Sequence, residues 1–285
     1  MTSTGRLEER LDVLAVGHVT LDRVAGDRRL GGAAAFAAIT ASRLGLRTAL
    51  VTSAAPDFPF WDDLAGVEIH CQTARQSTEF ENFYASGTRR QRVLGLAGAI
   101  SKESLDPVRG RLAGDAAVLY CPVVHEIDLV LEPLVPGGLC GAAPQGFFRR
   151  WSPEGMVEPR DWEGALEALS SCDVVSMSEE DHLAPEELAE SFPGRAFAVT
   201  RGRAGLRLYS GADIYDLPSF PATEVDPTGA GDVFAAAFLI ALREGKPVVT
   251  AARWAACAAA LSVEAPGVEG IPTRRVLTAR LQAYG

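Results

Sequence analysis

The chain has 285 residues, long enough for two average domains or one large α/β domain, and 47% of it is apolar, so the composition supports a sizeable core. Its net charge of −10 argues against a nucleic-acid or anionic-membrane partner, since both want a basic face, but not against a small phosphorylated ligand that needs only local donors. The five cysteines (Cys71, Cys121, Cys140, Cys172 and Cys257) are scattered and form no CxxC, which reads as free thiols in a reducing compartment.

The opening MTSTGRLEERLDVL is polar and charged and is no secretory signal. DVLAVG (12–17) is a short apolar run ending in Gly and reads as a buried strand. GGAAAFAAITASRLG (31–45) predicts a helix with a glycine stop, and RTALVTSA a second strand, so the chain opens on a β-α-β unit. An insertion, HVTLDRVAGDRRL, separates that strand and helix and is longer than such connections usually are. From 78 to 96 the pattern changes: TEFENFYA and TRRQRVLGL flank Ser86–Gly87 and predict a β-hairpin with one polar face. With residues 21–31, the segment 72–96 is expected to form a small lid on a single domain spanning 1–285. Buried-strand runs then return (AAVLYC, LCGAA, CDVVSM, RAFAVT, GLRLYS), with helices expected in DWEGALEALSS and APEELAESF and a hairpin turn at Ser210–Gly211. Two apolar helices close the pattern, and the longest uncharged apolar run, VFAAAFLIAL (233–242), is about half of what spans a bilayer. The expectation is a cytoplasmic three-layer α/β/α sandwich around a mostly parallel sheet, with ligands beyond the C-terminal strand ends.

EVDPTGAGDVF (224–234) carries the chemistry. Pro227 sets a turn, and Thr228 is placed to cap the helix through its hydroxyl. Gly229, Ala230 and Gly231 leave first-turn N–H groups uncovered for an anion. Asp232 could simply serve the helix dipole, but a carboxylate beside an anion nest repels the anion unless it has another task. The obvious one is general base toward a hydroxyl that attacks a phosphoryl group. There is no GxxxxGK[ST] and no GxGxxG after the first strand, and Lys102 and Lys246 are the only lysines, so backbone amides and arginines would have to hold any phosphate.

DPTGAGD resembles the signature of the ribokinase, or PfkB, family of carbohydrate kinases, and the resemblance runs over nearly the whole chain. VGHVTLD is similar to the family's first strand, whose Asp (here Asp22) binds substrate hydroxyls, and LGGAAAFAAITASRLG to its glycine motif at the substrate site (Gly31 and Gly32). AVTRGRAGLRLY and AAALSVEAPGV are similar to segments flanking the nucleotide. The resemblance implies Asp232 as catalytic base, Gly229, Ala230 and Gly231 as anion hole, and Ser178, Thr200, Arg201, Gly202, Thr228 and Ala256 near ATP. It implies Mg²⁺ positioned by the NxxE-like stretch SEED, through Asp181 or Glu180, and in many relatives a monovalent cation near the residues before the glycine turn. Three positions depart from the family: Phe36 and Ala256 stand where relatives carry Asn, and Ser178 heads the NxxE-like stretch. Ser178 with Asp181 equally fits a helix N-cap box. The subpattern resembles the inositol-kinase-like branch, implying a sugar or cyclitol acceptor. The alternatives are a nucleoside acceptor and a silent ligand-binding regulator on the same fold. Relatives often dimerise through the lid sheets, and the polar–aromatic hairpin is compatible with a homodimer.

Other residues stay open at this point. His18, His70, His125 and His182 are isolated and read as structural or exposed. Arg89, Arg90 and Arg92 with Glu79 and Glu81 form either a solvated face or lid contacts to substrate. QGFFRRW (145–151) either lines the substrate pocket or packs its aromatics as core.

Overall fold

The computed structural model describes residues 10–85 and 88–284, so the expected turn at Ser86–Gly87 lies outside the described residues. The chain runs β1 (Leu11–Val16), β2 (Thr20–Val24), β3 (Asp27–Gly31), α1 (Ala33–Arg43), β4 (Thr48–Ala54), β5 (Val67–Thr73), β6 (Thr78–Ala85), β7 (Thr88–Gly95) and β8 (Ile100–Ser101). It continues through α2 (Asp106–Arg109), β9 (Leu112–Tyr120), β10 (Ile127–Asp128), β11 (Leu139–Ala142), β12 (Arg149–Trp151), β13 (Val157–Pro159), α3 (Ala165–Leu169), β14 (Val174–Ser178) and α4 (Pro185–Glu190). The last part is β15 (Ala196–Thr200), β16 (Leu206–Ser210), β17 (Asp213–Leu217), α5 (Ala230–Arg243), α6 (Val248–Ser262) and α7 (Arg274–Tyr284).

Nine strands form the central sheet in the order β17-β16-β15-β14-β11-β9-β1-β4-β5. Seven of them run parallel, and β16 and β17 finish the sheet antiparallel. Alternation along the strands makes the three layers. On β1, Val13 and Ala15 face one core with α1, α5 and α6, while Leu14 and Val16 face the other with α2, α3 and α4. The chain starts at β1, moves outward to β4 and β5, and returns to β9 on the other side of β1. That reversal opens a crevice at the C-terminal ends of β1 and β9, where ligands of such sheets bind.

A four-stranded sheet, β3-β2-β6-β7, lies beside this sandwich, with β2 parallel to β6 and the other pairs antiparallel. Glu79 ties two of its strands to β6, accepting from Arg23 at 2.8 Å and Arg28 at 3.0 Å. The expected lid segment begins too early. Gln72 and Thr73 end β5, the edge strand of the central sheet paired with β4, and the small sheet takes up the chain only at Thr78. The helix expected in DWEGALEALSS is shorter, Ala165–Leu169. Neither β5 nor the β12–β13 hairpin was anticipated. The β12–β13 hairpin docks on β7 through a bridge between Arg92 and Met156 and a bond from the Val93 N–H to the Gly155 carbonyl at 2.8 Å. Gly155 has φ +83°, and a Cβ there would sit 2.5 Å from the Val93 oxygen, so only glycine allows this approach.

Candidate active site

The N-terminus of α5 faces the crevice. Its cap is Gly229, at φ +77°, and no side chain of the described residues caps the helix. Thr228 therefore does not play the capping role expected of it: its N–H is drawn two residues back, to Asp226 Oδ1 at 3.0 Å. Asp226 also accepts from the Gly267 N–H at 3.0 Å and lies 3.7 Å from Arg29. Burial would raise this carboxyl, but the bonds from Thr228 and Gly267 and the Arg29 charge together hold it below the ordinary carboxylate value. Below the turn, Phe36 occupies the space that a side chain at 229 would need. A Cβ on Gly229 would lie 2.1 Å from Phe36 Cδ1.

Two cavities meet at this turn. One, of about 420 Å³, is lined mostly by apolar groups, among them Phe220, Pro221, Phe234, Ala256 and Val263. The other, of about 800 Å³, is polar and holds Asp232, Gln145, Arg149, Glu180, Asp181 and, from the small sheet, Arg90. Ser178, Thr200, Pro227, Ala230 and Gly231 line both. Inside the polar cavity Gln145 Nε2 donates to Asp232 Oδ1 at 3.3 Å, and Arg149 donates to Gln145 Oε1 at 2.7 Å. Cys121, at the end of β9, is fully buried; desolvation, with the charges of Asp232 and Glu126 added, pushes its thiol far up, so it stays protonated.

Most of the residues singled out in the sequence converge here. Gly229, Ala230, Gly231, Asp232, Ser178, Thr200, Glu180 and Asp181 line the polar cavity, and Gly202 and Ala256 line the apolar one. Five do not. Arg201 pairs instead with Glu186 and Asp216, and Arg203, two residues on, lines the apolar cavity. Thr228 lines neither cavity. Asp22, Gly31 and Gly32 also lie off both walls. Asp22 is a buried residue of β2, accepting from Thr20 Oγ1 at 2.7 Å, and a Cβ on Gly31 would strike it. Ser178 and Asp181 are not a helix N-cap box, because α4 begins only at Pro185. Asp181 accepts the Ser178 N–H at 2.8 Å within a turn that ends β14.

The segment left open in the sequence divides. Gln145 and Arg149 enter the cavity, whereas Phe147 stacks on Trp162 and Phe148 is buried. Two further polar residues hold the crevice edge. Buried Glu126 accepts from the N–H groups of His18, Val123 and Val124 at 2.8–3.0 Å. His18 bridges Gly98 O and Thr78 Oγ1, joining the end of β1 to the start of β6. The signal for both was slight: a lone His and a lone Glu beyond strand ends.

Residues 163–274 match the pfkB family carbohydrate kinase model. The chain is 48% identical over 84 residues to a ribokinase of Bacillus subtilis, a stretch covering 29% of this chain and 28% of that enzyme. It is 29% identical over 269 residues to a 2-dehydro-3-deoxygalactonokinase of Haloferax volcanii, covering 82% of this chain and 81% of the relative. Among solved structures it is similar to a pyrophosphate-dependent kinase in the ribokinase family, complexed with a pyrophosphate analog and myo-inositol. That likeness has a TM-score of 0.76 and 26% identity, covering 94% of this chain and 99% of the other.

Proposed function

We propose that this chain acts as a member of the PfkB family of carbohydrate kinases, phosphotransferases with an alcohol acceptor, and moves the γ-phosphoryl group of ATP to a hydroxyl of a polyol, with a cyclitol favoured. One observation carries the reading. An apolar and a polar cavity share the glycine turn, so a donor lying in the first would present its terminal phosphate to an acceptor in the second. Asp232 sits on the polar side. There it takes the proton of the attacking hydroxyl as the new P–O bond forms and the bond to ADP breaks. The peptide N–H groups at 229–231, with the positive end of α5 behind them, stabilise charge on the transferring group. Glu180 and Asp181, side by side on the polar wall, suit Mg²⁺, which keeps most of its waters and takes one or two carboxylates plus phosphate. Bound there, it would neutralise charge on the donor phosphates.

The donor is argued from volume. Pyrophosphate, the donor of the similar solved structure, has no base to bury, whereas a cavity of about 420 Å³ with apolar walls suits a nucleobase. The cyclitol reading draws on the myo-inositol in that structure and on the polar lining of the acceptor side. A panel of inositols, sugars and nucleosides, run with ATP and with pyrophosphate, separates the options by the phosphorylated product formed. Asp232→Asn should fold, bind donor and lose about 10²–10⁴ in kcat. Turnover near wild type in that variant rejects Asp232 as the base.

A further inference from the structure

Asp232 does not stand alone in the polar cavity, and the chemistry of its neighbours is directional. An ionised carboxylate only accepts hydrogen bonds, and a guanidinium only donates them. Gln145 lies between the two, 3.3 Å from Asp232 Oδ1 and 2.7 Å from the nearer nitrogen of Arg149. The amide can therefore take one orientation: its oxygen toward Arg149, its NH₂ toward Asp232. Among side chains of this length, glutamine is the one that meets both demands. Glutamate would set two negative charges together, and lysine two positive ones.

The relay is also mounted rigidly. Gln145 belongs to the 3₁₀ turn Pro144–Phe148, directly after β11. The Gly146 N–H bonds to the Pro122 carbonyl at 3.0 Å, and a Cβ on Gly146 would lie 2.4 Å from the Pro122 backbone. The turn is thus pressed onto the loop after β9.

We propose that Gln145 is the positioning residue for the base: held by Arg149, it engages Asp232 Oδ1 and so turns the other carboxylate oxygen to the acceptor hydroxyl. The inference rests on the kinase reading above. The other charged groups facing the cavity are Arg90 on β7, Glu154 and Glu158 on the β12–β13 hairpin, and Glu180 and Asp181 after β14. Behind it, the Cys121 thiol is neutral. None of these stands between Gln145 and Asp232.

Three variants test it, each first checked for an unchanged melting temperature and donor binding. Gln145→Leu keeps the volume and removes the donor, and should lower kcat about 10- to 100-fold with a smaller change in acceptor KM, the scale of a base displaced by about 1 Å. Gln145→Glu puts a carboxylate against Asp232 and should move the acid limb of the kcat–pH profile to higher pH. Arg149→Met frees the amide, and its loss should not add to that of Gln145→Leu in the double variant. An unaltered acid limb in Gln145→Glu, additive losses in the double variant, or an effect on acceptor KM alone would each overturn the proposal. If Asp232→Asn is inactive while Gln145→Leu works as wild type, the inference fails and the kinase reading stands. If Asp232→Asn itself turns over normally, the reading beneath it has failed.

Discussion

Gly229 and Gly231 look alike in the sequence and have different tasks. Gly229 has φ +77°, and a Cβ there would meet the Phe36 ring at 2.1 Å. Gly231 has ordinary dihedrals and nothing within 4 Å of its missing Cβ, which would point into open space at the junction of the two cavities. Gly229→Ala should therefore cost about 1–2 kcal/mol for the left-handed backbone and a further ~1–3 kcal/mol for overpacking, read in a denaturant titration. Gly231→Ala should leave stability within about 0.5 kcal/mol and instead raise the KM for the phosphoryl donor, because the methyl narrows the approach to the peptide N–H groups. If both variants lose stability equally, the division of labour is wrong. The same contact bears on Phe36. Where the family resemblance implies a polar Asn, this chain puts an aromatic ring that is 2% exposed, and the ring supports the turn from below. On the proposed reading, position 36 then offers the acceptor no polar contact, and Gln145 and Arg149 supply polar groups from another wall of the cavity.

Between elements, the loop entering α5 is fastened by Asp226, which joins Thr228 to the loop at Gly267 after α6. The sign of its pH dependence follows from a folded-state value held below the ordinary one, about 3.9 for Asp. Stability from this group is fully present above the ordinary value and is lost as pH falls through the lower, folded value. Asp226→Asn should thus unfold at lower denaturant than wild type at neutral pH, with the gap shrinking below about pH 4. A gap that stays constant down to pH 2 would show that the carboxylate's charge is not what holds the loop. This scale also separates what could be read from the chain from what could not. The glycine turn and its Asp are contiguous, so local chemistry disclosed them. Gln145 lies 87 residues from Asp232, and only the packing of α5 behind β11 brings them together. Arg201 and Arg203 could not be told apart, because strand register and the carboxylates of Glu186 and Asp216 decide which one turns away. β5 went unseen for a related reason: as an edge strand with half its face exposed, VEIHCQT has no buried run to announce it. The β12–β13 hairpin depends on its dock against β7, a partner no local pattern names.

For the whole molecule, the question is how a chain of net charge −10 with two lysines would hold the polyphosphate of the proposed donor. Bulk charge works against it, and the structure answers with local devices: a helix N-terminus left without a side-chain cap and an apolar cavity that supplies contact area without charge. The division predicts that donor affinity depends heavily on the apolar side. Ala256 on α6 is the place to ask, since it is 8% exposed, lines that cavity, and stands where the family resemblance implies a polar Asn. Ala256→Leu extends into the cavity and leaves the glycine turn untouched. It should raise the KM for ATP about tenfold or more, equivalent to roughly 1.4 kcal/mol of lost binding, while kcat at saturation and the melting temperature hold. Activity with pyrophosphate, which has no base to seat, should not change. A stable Ala256→Leu enzyme with an unaltered KM for ATP would mean that the cavity does not seat the donor base. Loss of pyrophosphate-dependent activity in parallel would mean that the substitution acts through the turn and not through the cavity. Because the variant changes one cavity and spares the other, acceptor KM serves as the internal control. A selective loss of ATP affinity would place the two ligands on different walls, which adjoin along Ser178, Thr200, Pro227, Ala230 and Gly231, with the transferred group crossing at the glycine turn.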